Sequence, residues 1–182
     1  MLVTPTNIPD VLVVEPKLFS DERGFFMEVY HTHKMADAGI RGPFVQDNHS
    51  GSRRGTLRGL HYQIRHPQGK LMRVVVGEIF DVAVDLRRSS RTFGQWVGVH
   101  LSAENRRQLW IPAGFAHGFY VRSEWADVLY KVTDFHAPDS ERTVVWNDPQ
   151  LAIRWPLLGD APPILSSRDA AGLSFAEAET FD

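Results

Sequence analysis

The chain contains no cysteine. That single absence excludes disulfides, thiolate metal sites, iron–sulfur clusters and thiol nucleophiles together, and it is the usage expected of a cytoplasmic protein. An excess of charge of one sign is also lacking. Twenty Lys and Arg residues stand against 22 Asp and Glu, for a net charge of −2, so no global field draws the protein to nucleic acid or to an anionic membrane. No apolar run approaches the ~20 residues of a membrane helix. Residues 1–19 carry Asp10 and Glu15 ahead of the first base, Lys17, where a secretory signal would begin with basic residues. The whole chain is therefore expected to be the mature protein. Nucleotide motifs built on helix ends are missing too: there is neither a G-x-x-x-x-G-K-[ST] segment nor a strand–G-x-G-x-x-G–helix unit, and no G-x-S-x-G nucleophile elbow.

What is present is an ordinary globular composition, 43% hydrophobic and 11% aromatic over 182 residues, which implies one domain spanning 1–182. Its charge is unevenly placed. No acidic residue occurs between Asp47 and Glu78, a stretch that holds Arg53, Arg54, Arg58, Arg65, Lys70 and Arg73 with His49, His61 and His66. A basic patch in a slightly acidic chain suits a small anionic ligand better than a long nucleic-acid track. A solvated basic loop is the plainer alternative.

Helical periodicity is scarce, and alternation with β-branched residues dominates. Strands are expected at 12–14, 24–30, 71–76, 79–86, 96–101, 108–111, 118–121, 127–133 and 143–145. Gly77-Glu78 reads as a hairpin turn. Short helices are expected at 33–38 and 170–179. Turn signals about every ten residues point to an all-β sandwich or barrel. On strands, residues two apart share a face, which groups Lys70 with Met72 and Val74, His117 with Phe119, and Tyr130 with Val128 and Val132. If those faces turn inward, the interior acquires a polar pocket.

Pro112-Ala113-Gly114-Phe115-Ala116-His117 resembles the second motif of the cupins, whose P-x-G-x-x-H segment sends a histidine into a small barrel. The first cupin motif usually reads H-x-H, and here the corresponding place is His61-Tyr62-Gln63. With one histidine gone and an ammonium, Lys70, nearby, a divalent metal is not expected. That also disfavours a metal-dependent cupin oxygenase.

Leu57-Arg58-Gly59-Leu60-His61-Tyr62-Gln63 carries a closer resemblance, to the dTDP-4-dehydrorhamnose 3,5-epimerase family. So do Phe19-Ser20-Asp21-Glu22-Arg23-Gly24-Phe25-Phe26, Gln46-Asp47-Asn48-His49-Ser50, Gln68-Gly69-Lys70-Leu71, Asp81 to Arg87, Gln108 to Phe119, Trp146-Asn147-Asp148-Pro149 and Leu165 to Asp169. The resemblance implies an all-β, cupin-like double-stranded β-helix with a few short helices. It also implies cofactor-independent inversion of a thymidine-diphosphate 4-keto-6-deoxyhexose. In that reading His61 is the base, Lys70 stabilises the enolate and Tyr130 is the acid on the far face. Asp169 orients His61, although Ser166-x-x-Asp169 also reads as a helix capping box and Asp81 is a rival orienting group. Arg58 and His117 line the sugar pocket. Arg58 has the opposite strand parity to His61, so Gly59 must bend the strand if both reach the ligand. Arg23, Gln46, Asn48, Arg58 and Arg168 match nucleotide-binding positions, the last usually a lysine. Phe26 and Glu28 match residues that meet the thymine from a neighbouring subunit, which implies a homodimer. Phe135-His136 departs from the aromatic pair usual in the family. A mono-epimerase acting at C3 or C5 alone would use the same residues. A non-catalytic cupin that binds sugar nucleotides is the alternative of another class.

Overall fold

A computed structural model describes all residues 1–182. The chain is mostly β. Its strands are β1 (Leu2–Pro5), β2 (Leu12–Glu15), β3 (Leu18–Asp21), β4 (Gly24–Met27), β5 (Gln46–Arg53), β6 (Leu57–Gln63), β7 (Lys70–Val76), β8 (Glu78–Asp85), β9 (Trp96–Ser102), β10 (Gln108–Ile111), β11 (Phe115–Val121), β12 (Trp125–Val132) and β13 (Glu141–Thr143). The two helices are short, α1 (Thr32–Asp37) and α2 (Ser167–Ala170). One antiparallel sheet has the order β1-β2-β10-β7-β12-β5 and a second β13-β6-β11-β8-β9. The β3–β4 ribbon belongs to neither.

A common apolar cluster joins the two sheets, with Met72, Val74, Leu109, Ile111 and Val128 from the first and Ile79, Ala83, Leu101, Phe115 and Phe119 from the second. Each sheet is covered on its other face as well. Met35 of α1 packs with Ile40, Val14, Leu71 and Trp110 on the first. Phe175 and Ala178 of the C-terminal segment pack with Val82, Val84 and Ala116 on the second. This double coverage explains why every residue of β11 is buried. It also explains why that strand reads as a continuous apolar run around His117 rather than as an alternation.

Two sequence expectations need correction. Gly77-Glu78 does not close a hairpin: β7 pairs with β10 and β12, whereas β8 pairs with β11 and β9. The chain instead turns a corner from one sheet to the other at Gly77, whose φ is +77° and where a Cβ would stand 2.0 Å from the Trp125 carbonyl oxygen. Only glycine takes that combination freely. The helix expected over 170–179 ends at Ala170. Beyond it, Leu173 exchanges backbone hydrogen bonds with Thr143 and Val145 at 3.0 and 2.8 Å. Gly172 lies so close to Val145 that a Cβ there would be 2.8 Å from its nitrogen. Pairing with the β13 edge outcompetes the local helical preference.

Candidate active site

β5 contains no Val, Ile, Leu or aromatic residue, yet it is a strand of eight residues. Its burial alternates, with Gln46, Asn48, Ser50 and Ser52 the more buried set. Those side chains face a polar cleft between the sheets, not the apolar core. The cleft has an inner lobe of about 150 Å³, lined by Ser50, Arg58, His61, Lys70, Met72, His117, Phe119, Tyr130 and Arg168. An outer lobe of about 370 Å³ shares His61, Lys70, Tyr130 and Arg168 with it and adds Gln46, Asn48, Gln68, His136 and Glu141.

The sheets contribute different chemistry. β6 and β11 of the second sheet supply Arg58, His61 and His117, and β5, β7 and β12 of the first supply Asn48, Ser50, Lys70 and Tyr130. Arg58 and His61 reach the same cleft because β6 carries one extra residue. Against β11, Arg58 pairs with Phe119 and His61 with His117, so three steps on β6 match two on β11. That is a β-bulge, which re-aims a side chain. The bulge contains Gly59, with φ at +123° and an added Cβ only 2.5 Å from the Gly118 Cα. The bend anticipated from the parity of Arg58 and His61 is present.

Each histidine has its own carboxylate. His61 Nε2 is bonded to Asp169 Oδ1, and His117 Nε2 lies 2.9 Å from Asp81 Oδ1. Asp81 is therefore the partner of His117, and the rival assignment to His61 is corrected. Asp169 is nearly fully buried, its side chain 4% exposed against 24% for His61. Burial by itself would raise the Asp169 pKa, but hydrogen bonds from His61 and Ser166 outweigh it and hold the carboxyl below its usual range. The capping role holds at the same time. Ser166 Oγ accepts from the Asp169 amide at 3.1 Å and donates to Asp169 Oδ2 at 2.7 Å, so α2 itself fixes the carboxylate that orients the imidazole.

Burial pushes the Lys70 ammonium down to about 8, with Asp81 and Glu141 opposing the shift. Its Nζ donates to the His61 backbone carbonyl at 3.4 Å, which ties the cation to β6. Burial also lowers the His117 pKa despite Asp81, so His117 is neutral at physiological pH. Tyr130 is raised, chiefly by burial, with Arg58 opposing and Glu141 adding to the shift. It is a protonated donor at neutral pH. Arg58 Nε donates to Ser52 Oγ at 2.9 Å, which ties its guanidinium across β5.

In the outer lobe, Gln46 Nε2 donates to Asn48 Oδ1 at 2.8 Å. Arg168 is paired with Glu141, and His136 Nε2 lies 3.3 Å from the same carboxylate's other oxygen. Glu141 escaped the sequence reading. It sits in a turn-like Pro-Asp-Ser-Glu stretch without a motif, and only its position on β13 beside β6 brings it to the cleft. Ser50 was missed as a site residue for a related reason, since nothing separates its hydroxyl from the other polar groups of its segment. No group of three or more His, Asp or Glu side chains converges in a way that could hold a metal ion.

Three expected site residues lie outside the cleft within one chain. Arg23 and Phe26 belong to the β3–β4 ribbon, with Arg23's side chain 85% exposed and paired only to Asp21 at 2.5 Å, and Phe26 68% exposed. Glu28 follows the ribbon and pairs with Lys34 at 2.5 Å.

Comparison with known proteins gives this arrangement a family. A family model described as dTDP-4-dehydrorhamnose 3,5-epimerase matches residues 5–177. The chain is 62% identical to a dTDP-4-dehydrorhamnose 3,5-epimerase of Pseudomonas aeruginosa, over 100% of this chain and 99% of that one. Among solved structures it is similar to a dTDP-6-deoxy-D-glucose-3,5-epimerase from Legionella pneumophila in complex with dTDP-4-keto-L-rhamnose. That likeness has a TM-score of 0.94 at 52% identity, covering 98% of this chain and 94% of the other. It is also similar to a 3'-monoepimerase from Streptomyces bikiniensis in complex with dTDP-quinovose, with a TM-score of 0.87 at 36% identity, covering 94% and 87%. Nearly every residue of the chain, including the His61–Asp169 and His117–Asp81 pairs and the elements that carry them, thus falls within one matched unit, and the chain belongs to the dTDP-4-dehydrorhamnose 3,5-epimerase family.

Proposed function

We propose that this chain inverts C3 and C5 of dTDP-4-keto-6-deoxy-glucose to give dTDP-4-keto-L-rhamnose, by enolate chemistry that uses no cofactor. The observation that carries the reading is the origin of the two proton-handling groups. The His61 imidazole comes from β6 of one sheet and the Tyr130 phenol from β12 of the other, across a single cleft. Inversion needs removal on one face of the carbon and delivery on the opposite face, and groups on facing sheets supply both.

The C4 ketone acidifies the hydrogens on C3 and C5. His61, held by Asp169, takes one of them, imidazole being the side chain most often used as a general base. The C–H bond breaks and its electron pair moves onto the C4 oxygen. Lys70 meets the charge that develops there, and a fixed cation in a partly dry site is most effective on such transient charge. Tyr130 then donates its proton to the opposite face, the enolate collapses to the ketone, and solvent exchange restores both residues. His117, kept neutral by burial, hydrogen-bonds the sugar beside Arg58.

The outer lobe suits the nucleotide. Gln46, Asn48 and Arg168 face it with Arg58 behind, and guanidinium forks match diphosphate oxygens. Arg168 stands where the family usually has lysine, which keeps the charge but changes its geometry. Arg23, Phe26 and Glu28 serve the neighbouring copy of a homodimer, where Phe26 and Glu28 meet the thymine. Their exposure on a ribbon outside both sheets supports that assignment. The two sheets are read as a cupin-like double-stranded β-helix in a single domain spanning 1–182, working in the cytoplasm without a metal.

Incubating the protein with the 4-keto sugar nucleotide in D₂O, followed by NMR at C3 and C5, tests the reading. Deuterium and inversion at both carbons support it. Label at one carbon identifies a mono-epimerase, and label at neither identifies a cupin that only binds.

A further inference from the structure

Four buried side-chain polar atoms in the chain lack a hydrogen-bond partner: Ser50 Oγ, Asp81 Oδ2, Arg106 Nε and Arg122 Nε. Asp81 Oδ2 belongs to a carboxylate whose other oxygen holds His117, and neither arginine lines the cleft. Ser50 is different. Ser50 itself lines the inner lobe, and its hydroxyl, its only polar group beyond the backbone, is buried at the lobe's wall. On the same face of β5 the neighbours two positions away are both engaged, Asn48 by Gln46 and Ser52 by Arg58. Across the ladder Ser50 meets Val128, and Met72 and Phe119 complete its side of the lobe; none of the three accepts or donates a conventional hydrogen bond through its side chain.

A buried hydroxyl without a partner destabilises the protein that contains it, so the free enzyme gains nothing from it. Such a group is useful when a ligand completes it. The inner lobe that Ser50 lines also holds His61, Lys70, His117 and Tyr130, whereas Ser50 is absent from the outer lobe of Gln46, Asn48 and Glu141. We propose that Ser50 is a specificity-determining residue for the hexose, its hydroxyl forming a hydrogen bond with a sugar hydroxyl on the Tyr130 side of the cleft. The inference rests on the reading of this cleft as a sugar-nucleotide site and adds the contact that recognises the sugar rather than the nucleotide.

The test compares wild type, Ser50→Ala and Ser50→Thr in three measurements. These are steady-state turnover of the 4-keto sugar nucleotide, calorimetric affinity for dTDP, which lacks the hexose, and thermal melting without ligand. The inference expects Ser50→Ala to lose about tenfold in kcat/KM, the size of one neutral hydrogen bond, with most of the loss in KM. Its dTDP affinity stays unchanged, and it melts at the wild-type temperature or above because an unpaired hydroxyl has been removed. Ser50→Thr, which keeps the hydroxyl, recovers most of the lost kcat/KM. The inference is overturned if Ser50→Ala stays within twofold of wild type in kcat/KM, if its dTDP affinity falls in step, or if it melts several degrees lower. A wild-type enzyme that turns the substrate over beside an equally active Ser50→Ala sinks this inference alone. A wild type that neither binds nor turns over the sugar nucleotide sinks the functional reading, and this inference with it.

Discussion

Replacing Lys70 by methionine should give a protein that is more stable and nearly inactive. Methionine preserves most of the lysine stem and removes only the ammonium. Burial lowers the Lys70 pKa from 10.5 to about 8, so the folded state resists the charge by about 3 kcal/mol, at 1.36 kcal/mol per pKa unit. The gain on substitution is smaller than that, because Lys70 is partly open to the cleft and its bond to the His61 carbonyl is lost. An increase of about 1–3 kcal/mol at pH 7 is the expected range. The sign can be followed with pH. Below about 8, Lys70 is charged in both the folded and the unfolded chain, and the folded state bears the whole penalty. Between about 8 and 10.5 the folded lysine is neutral while the unfolded one still binds a proton, so wild-type stability rises with pH and the advantage of the variant shrinks. Urea unfolding at pH 7 and at pH 10 measures both values. Turnover should fall by about 10²–10³, the usual loss when a donor to a developing oxyanion is removed, and wild-type activity should decline as pH rises through about 8. A variant no more stable than wild type, a stability difference that does not change between the two pH values, or turnover within tenfold of wild type would refute the argument.

His61→Asn should abolish both epimerisation and solvent deuterium uptake, by about 10²–10⁴-fold as for loss of a general base; uptake at the wild-type rate would move the base elsewhere. Tyr130→Phe should separate exchange from inversion, with label entering at C3 or C5 while the original configuration is kept, since His61 can return a deuteron to the face it deprotonates. Equal loss of exchange and inversion would recast the phenol as a positioning group. Exhaustive chelation should leave turnover unchanged, and activity lost to chelation and restored by Zn²⁺ or Fe²⁺ would contradict that. If Arg23, Phe26 and Glu28 complete the cleft of a partner copy, as proposed, dilution should inactivate the enzyme; a fully active monomer at nanomolar concentration would falsify the shared site.

The resemblance to the epimerase family, carried by motifs around His61, Lys70 and Asp169, implied a base, a cation, an acid and an orienting carboxylate, and the fold brings His61, Lys70 and Tyr130 to one cleft with Asp169 on the His61 ring. Strand parity placed His117 with Phe119 and Lys70 with Met72 on the faces they occupy. The need for a bend at Gly59 followed from Arg58 and His61 being three residues apart. β5 was not expected as a strand, because hydrophobic alternation marks strands that face an apolar core and this one faces a polar cleft. Other features required the tertiary structure. Two aspartates were available to orient His61, and only the folded chain brings Asp169, 108 residues away in sequence, onto that ring while giving Asp81 to His117. The corner at Gly77 and the pairing of Leu173 with the β13 edge likewise defeat local reading, since a turn or a helix there is locally acceptable and the sheet partners that overrule it are distant in sequence. The sequence determined which functional groups the chain carries and which family it resembles. Which group meets which, and from which side of the cleft, depended on two sheets closing over each other, a long-range event that no local pattern encodes.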